Sequence, residues 1–173
     1  MITRTPYMDK PCSDWFAENE SYVIIGLTCL ALYVPNDVLS LAPSENSWQY
    51  ASKGWSSADP TGSWSLADVG GQIDLNVPDT WPGPYALIFD NLAYLNPKHS
   101  SQSLDVAVNG TQVVTRPFDL KSRNGKRSAT IPRQLVRNDS LHIALEATRA
   151  VSPTQLGDSA DTRRLGIAVK RII

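Results

Sequence analysis

From Trp48 to Ile173 apolar and polar residues alternate in short runs. Gln72-Ile-Asp-Leu-Asn-Val77 sets Ile73, Leu75 and Val77 on one side and Gln72, Asp74 and Asn76 on the other. That is the period of a strand with one face buried in an antiparallel sheet. Ser103–Val108 repeats it with Leu104, Val106 and Val108 inward, and Ser140–Glu146 with Leu141, Ile143 and Leu145 inward. Tyr85–Ala93 is more continuously apolar and predicts a central strand with Leu87 and Phe89 inward. Asn109-Gly110 links two alternating runs, the signal of a type I′ hairpin leading into Thr111–Thr115. Shorter strands are predicted at Trp48–Trp55, Ser63–Ser65, Arg127–Ile131 and Leu165–Ile173, the last with Leu165, Ile167 and Val169 inward. Asp59-Pro60-Thr61-Gly62 is a turn, because proline fixes φ and glycine accepts a positive one. About nine strands at roughly 8–12-residue spacing, with no helical period and no βαβ rhythm, predict an all-β fold. The expected solution is a two-sheet antiparallel sandwich, jelly-roll-like, over residues 44–173, with no long helix after Asp37.

Residues 1–43 differ in character. Met1–Ser21 is polar and irregular, and Tyr22–Val34 is an apolar run of thirteen residues bounded by Glu18-Asn-Glu20 and Asn36-Asp37. As a helix the run would span about 20 Å, short of the ~20 residues that a bilayer core asks for. Tyr22 and Tyr33 sit at its ends as interfacial anchors would. Three readings stay open: a short or tilted membrane anchor, a buried strand or helix of the sandwich, and the apolar core of a signal peptide. Val23, Ile24 and Ile25 keep the strand reading in play.

Sixteen lysines and arginines stand against seventeen aspartates and glutamates, for a formal net charge of −1. That balance predicts no electrostatic footprint for nucleic acid, which is not an expected partner. The two cysteines, Cys12 and Cys29, lie ahead of the sandwich. A disulfide framework or a cysteine metal site within residues 44–173 is therefore excluded, while a Cys12–Cys29 bridge stays open.

The search for chemistry finds no catalytic constellation. There is no Gly-x-Ser-x-Gly, no His-Glu-x-x-His, no phosphate loop and no Asp-x-Asp-x-Asp calcium loop. His99 falls in a loop, and His142 falls on the polar side of an alternating strand. No catalytic residue, metal ligand or cofactor is expected. Two clusters stand out. In Gly54–Ser65, Trp55 and Trp64 flank the turn that carries Asp59. Indole faces stack on the apolar faces of sugar rings while carboxylates and hydroxyls bind sugar hydroxyls; the alternative is that both indoles seal the core. In Ser152–Gly166, Asp161 and Arg163 lie just before the last strand, as glycan contacts or as a pair that pins a loop.

Together these clusters resemble a family. Gly54-Trp55-Ser56 with Asp59-Pro60, Gly62 and Trp64-Ser65 is similar to its opening signature, with Asp59 where the family more often has Glu. The substitution leaves the turn intact and shortens the reach of the carboxylate. Val106-Ala-Val-Asn-Gly110 resembles its hairpin. Ser152-Pro153, Leu156-Gly157-Asp158-Ser159, Asp161, Arg163 and Leu165-Gly166-Ile167-Ala168 resemble its closing signature. The family comprises β-sandwich accessory domains of bacterial membrane-bound glycosyltransferases and phosphoglycerol-transferase-like envelope proteins.

The resemblance implies a non-catalytic module in the cell envelope, anchored at the inner membrane with the sandwich outside it. Its expected partners are a glycan or a membrane transferase subunit, and a purely structural docking domain is the alternative. Trp55, Asp59, Trp64, Asp161 and Arg163 are the expected glycan contacts. The resemblance also implies that the two end motifs are neighbours in space, with Asp59 or Asp161 paired to Arg163 or Arg164.

Overall fold

The computed structural model describes residues 38–41, 43, 50–77 and 83–173. Two compact units divide the chain after Leu30, and every described residue belongs to the second, Ala31–Ile173. The run Tyr22–Val34, Cys12, Cys29 and the start of the strand predicted at Trp48 lie outside the described residues. Among those described, no helix is long and apolar enough to cross a membrane.

Among the described residues nine strands form: β1 (Leu39–Ser40), β2 (Ser63–Leu66), β3 (Gly71–Asn76), β4 (Tyr85–Ala93), β5 (Ser101–Val108), β6 (Thr111–Asp119), β7 (Asn124–Ile131), β8 (Ser140–Thr148) and β9 (Leu165–Ile172). The fold is an all-β sandwich of two antiparallel sheets. Its front sheet has the order β2-β9-β4-β7, with β1 sharing the β9 edge, and its back sheet the order β3-β8-β5-β6. Four pairs nest like one long hairpin: β5 with β6, β4 with β7, β3 with β8, β2 with β9. Rolling that ribbon adds β9 beside β4 and β8 beside β5. This is the jelly roll that the strand spacing predicted.

The alternation read from sequence sets the register. Ile73, Leu75 and Val77 are buried, as are Leu104, Val106 and Val108, and Leu141, Ile143 and Leu145. With Leu87, Phe89, Ile167 and Val169 they form one contiguous core. Leu165 is buried outside that cluster. Asn109 and Gly110 both adopt positive φ, 47° and 77°, as a type I′ turn requires.

Two expectations change. Leu39 and Ser40 pair with Ile172 and Arg171, and Leu39 and Leu41 are buried, so the sandwich draws in residues ahead of position 44. The strand predicted over Trp48–Trp55 is not continuous in its described part. Ala51 bridges to Ile73 of the back sheet, whereas Trp55 bridges to Ser65 of the front sheet. Gly54, at φ 72°, breaks the two-residue period, and the segment crosses from one sheet to the other there.

Two glycines mark close approaches of the backbone, Gly166 between the sheets and Gly62 within the front one. A Cβ on Gly166 would lie 2.5 Å from the Ala147 Cβ and 2.6 Å from the Ser65 Oγ, so the sheets meet at its backbone. Gly62 adopts φ 117°, and a side chain there would collide with the Val169 carbonyl. Gly166→Ala and Gly62→Ala are each expected to destabilise the fold by about 2–3 kcal/mol, through overpacking and backbone strain respectively. Phe89→Ala, which empties a fully buried site, is expected to cost about 3–5 kcal/mol. Urea midpoints measure all three, and a Gly166→Ala midpoint at or above wild type would refute the close approach of the sheets.

Candidate functional site

Antiparallel strand order puts the β2–β3, β4–β5, β6–β7 and β8–β9 connections at one end of the sandwich. Side chains stitch them together. Lys98 donates to the Leu156 carbonyl at 2.6 Å, Arg123 Nη1 to the Leu95 carbonyl at 2.8 Å, and Arg164 pairs with Asp68 at 3.2 Å. β1 enters at the opposite end, beside Ile172.

Local sequence builds the β8–β9 loop. Ser152 caps a one-turn helix, Pro153–Leu156, in a capping box with Gln155, and Gly157 closes it in the left-handed conformation. The Thr154 hydroxyl donates to the Ser159 and Asp161 carbonyls. Asp161 accepts the Arg163 N–H at 2.9 Å and the Arg163 guanidinium through both oxygens, at 3.0 Å from Nε and 2.6 Å from Nη2. Much of the closing signature is thus loop architecture. The hydrogen bonds from Arg163 hold the Asp161 carboxyl down at about 2, and Asp161 in turn raises the Arg163 guanidinium.

The opening signature divides between two roles. Trp55 and Ser65 face each other across a bridge, and Ser65 is buried, so period two turns Trp55 inward and Trp64 outward. Trp55 packs against the core and lies over Gly71, and its indole N–H donates to the Gln72 carbonyl at 2.9 Å. The sealing role is therefore the one that Trp55 takes. Trp64 is half-buried on the outer face of the front sheet and donates its indole N–H to Asp59 Oδ2 at 3.2 Å. Asp59 also accepts the Thr61 N–H at 2.7 Å and the Thr61 hydroxyl. Partial burial opposes the charged form of Asp59, but bonds from Thr61, Trp64 and Gly62 together hold it below the usual carboxylate range.

Trp64 meets Tyr94 edge to face, with centroids 5.7 Å apart and planes at 87°. The Tyr94 hydroxyl donates to Asp158 Oδ2 at 2.9 Å, and Asn96 donates to the same oxygen at 2.8 Å. Desolvation, then Asp158, then the charge of Asp161 push the Tyr94 phenol up to about 12. The field of Asp59 also favours charged Arg163. The two end motifs are thereby neighbours: the Arg164 carbonyl accepts the Ala67 N–H at 3.0 Å, Trp64 and the charge of Asp161 both reach Tyr94, and Asp59 acts on Arg163. Tyr94 and Asn96 carried no sequence signal, because they enter the site from an otherwise ordinary loop after β4. Asp158 lay within the closing signature, where its partner 64 positions upstream was invisible.

Beside this cluster the front sheet carries an open depression of about 180 Å3, lined by Pro60, Thr61, Asp90, Leu92, Asn124 and Lys170. It adjoins Trp64, since Trp64 and Leu92 flank Ala168 on opposite sides. It is smaller than the ~300–1,000 Å3 of enclosed small-molecule pockets, and its wall mixes the apolar surfaces of Pro60 and Leu92 with the polar groups of Thr61, Asp90, Asn124 and Lys170. Among the described residues no group of three histidines, cysteines or carboxylates could hold a metal ion.

The pKa directions are testable. Tyr94 is expected to ionise near 12, and Asp158→Asn to lower it only in part, because desolvation, the largest cause, and the charge of Asp161 remain, read by ultraviolet phenolate titration. Because the Asp161 pKa is lowered by folding, its pairing stabilises the fold above the unfolded carboxyl pKa near 4 and loses that contribution as pH falls toward 2. Arg163→Ala should therefore flatten the acid limb of stability between those values.

No family model matches the chain, and no curated protein matches it.

Proposed function

We propose that this chain is a non-catalytic accessory module that binds or positions a cell-envelope glycan for a membrane-bound glycosyl- or phosphoglycerol transferase. The observation that carries the reading is Trp64: a half-buried indole on the outer face of the front sheet, fixed by Asp59 and Tyr94 and set beside a shallow depression of mixed polar and apolar lining. Stacking needs an aromatic face held in one orientation, so that little side-chain entropy is lost on binding. Asp59 and Asp161, both held below the usual carboxylate range, are ionised at neutral pH and not suited to donating a proton; Asp161 is engaged through both oxygens by Arg163, and the outer surface of Arg163 is what that pair offers a sugar. The resemblance of the end motifs to envelope accessory domains supplies the transferase context. Docking through an apolar face is less supported: the exposed large apolar side chains among the described residues, Val38, Val69 and Leu120, are scattered in the chain.

A glycan array probed with the full chain is expected to yield neutral or weakly charged envelope glycans as ligands. Trp64→Ala should weaken the best of them at least tenfold, the equivalent of about 1.4 kcal/mol. Its own stability should fall by only about 1–2 kcal/mol, because Trp64 is outside the core, whereas Trp55→Ala should cost about 3 kcal/mol or more. Retention of full glycan affinity by a folded Trp64→Ala would overturn the assignment of the site.

A further inference from the structure

The near-zero net charge conceals a segregation. Seven of the sixteen lysines and arginines fall within residues 116–137, and Asp119 is the one carboxylate among them. Five of those cations, Arg116, Lys121, Arg123, Lys126 and Arg127, lie on β6, β7 or the turn between them. β6 ends the back sheet and β7 ends the front sheet, and the two close one side of the sandwich. Arg116 reaches across from β6 to the Ser128 carbonyl of β7 through both Nε and Nη2. Arg127 lies over the Phe118 ring at 5.3 Å and donates to the Ser122 carbonyl at 2.6 Å. These guanidiniums, like Arg123 on the Leu95 carbonyl, bond to neutral oxygens, which satisfy their N–H groups and leave their charge in place.

No ion pair between described residues involves any of the five. Asp90 stands opposite Lys126 in register, but it is paired with Arg171 at 3.2 Å. Asp119 is turned into its own loop, accepting the Lys121 and Ser122 N–H groups at 2.9 and 2.7 Å. Edge strands do carry cations to block sheet-to-sheet aggregation, and one or two suffice for that. The surplus here is larger, and it reaches from the β6–β7 turn to Ser128, about 13 Å along β7.

We propose that this β6–β7 edge is a docking strip for a linear polyanionic glycan, one bearing repeated carboxylate, sulfate or phosphate groups. Leu120 is the one exposed large apolar side chain among these cations, too little to insert into a bilayer. The aromatic ring that it does contain, Phe118, is buried beneath Arg127 and offers no platform for unpaired bases. The proposal concerns a surface separate from Trp64 and has its own readout, so either can fail without the other.

The test is fluorescence anisotropy of the full chain with fluorescein-labelled heparin as the probe, from 50 to 300 mM NaCl. Expected is binding whose logarithm falls linearly with the logarithm of salt, as counterions are released. Lys121→Glu/Lys126→Glu keeps the edge charged against aggregation and leaves the carbonyl-bonded arginines in place. It should weaken binding roughly tenfold or more and lower the salt slope by about one to two. Lys53→Glu, on a distant surface with the same sign of change, should alter affinity less than twofold. Absence of salt-dependent binding, or equal loss in Lys53→Glu, would overturn the strip. So would tighter binding to phosphatidylglycerol vesicles that Leu120→Ser abolishes, equally tight binding of duplex DNA, or a charge-dependent self-association of the chain.

Discussion

The structure hangs on the position of β9. The last of the described strands lies in the middle of the front sheet, paired along one edge with β1 and β2 and along the other with β4. Its Ile167 and Val169 are fully buried, and its Gly166 is where the back sheet comes closest. Without β9, β2 and β4 would each present an unpaired ladder, and the nested ribbon would have no outer partner. The pairing of Trp64 with Ala168 spans about a hundred residues of chain, so ordering the sheet is a late, non-local event. The same pairing carries the candidate site, because it sets Trp64 beside Ala168 with Leu92 on the far side.

That dependence explains why the two end signatures belong together. They flank the sandwich in sequence, and β2 and β9 bring them side by side. Most of their residues have architectural work: Gly62 turns against Val169, Trp55 seals the core over Gly71, Ser152 and Gly157 bound a single helical turn, and Asp161 clamps Arg163. The clamp is bidentate and charge-assisted, which fixes direction as well as distance. What the scaffold leaves facing outward is narrower than the motifs suggest. It is the Trp64 indole, the Tyr94–Asp158 pair, the outer surface of Arg163 and the neighbouring depression.

Charge follows the same logic of placement. Summed over the chain it nearly cancels, but the fold gathers cations at the β6–β7 turn while Asp158 and Asp161 act on Tyr94 and Asp59 bonds the neighbouring Trp64. The corner at β2 and the β8–β9 loop thus mixes carboxylates with Arg163 and Arg164, whereas the cations of the β6–β7 edge stand outside the ion pairs between described residues. Screening at physiological ionic strength acts over about 8 Å, so each region presents its own field to a partner.

The sequence by itself determined the strands, their inward faces, the Asn109-Gly110 hairpin and the fold class, because side-chain period and turn stereochemistry are local. Ile73, Leu75 and Val77 could be assigned to the core without knowing what they touch. It did not determine that Gly54 turns the chain from one sheet to the other, since a left-handed glycine continues to look like part of a strand until its two neighbours find different partners. Nor did it reveal that Leu39 and Ser40 belong to the sheet, two residues being too few to show a period. Asp59, Trp64, Asp161 and Arg163 were visible as motif residues, and the motif could not say which of the two tryptophans faces outward. Only tertiary structure decided that, by pairing Trp55 with buried Ser65. It alone brought in Tyr94 and Asn96, whose roles arise from contacts to residues more than sixty positions away along the chain, or thirty in the case of the Trp64 ring.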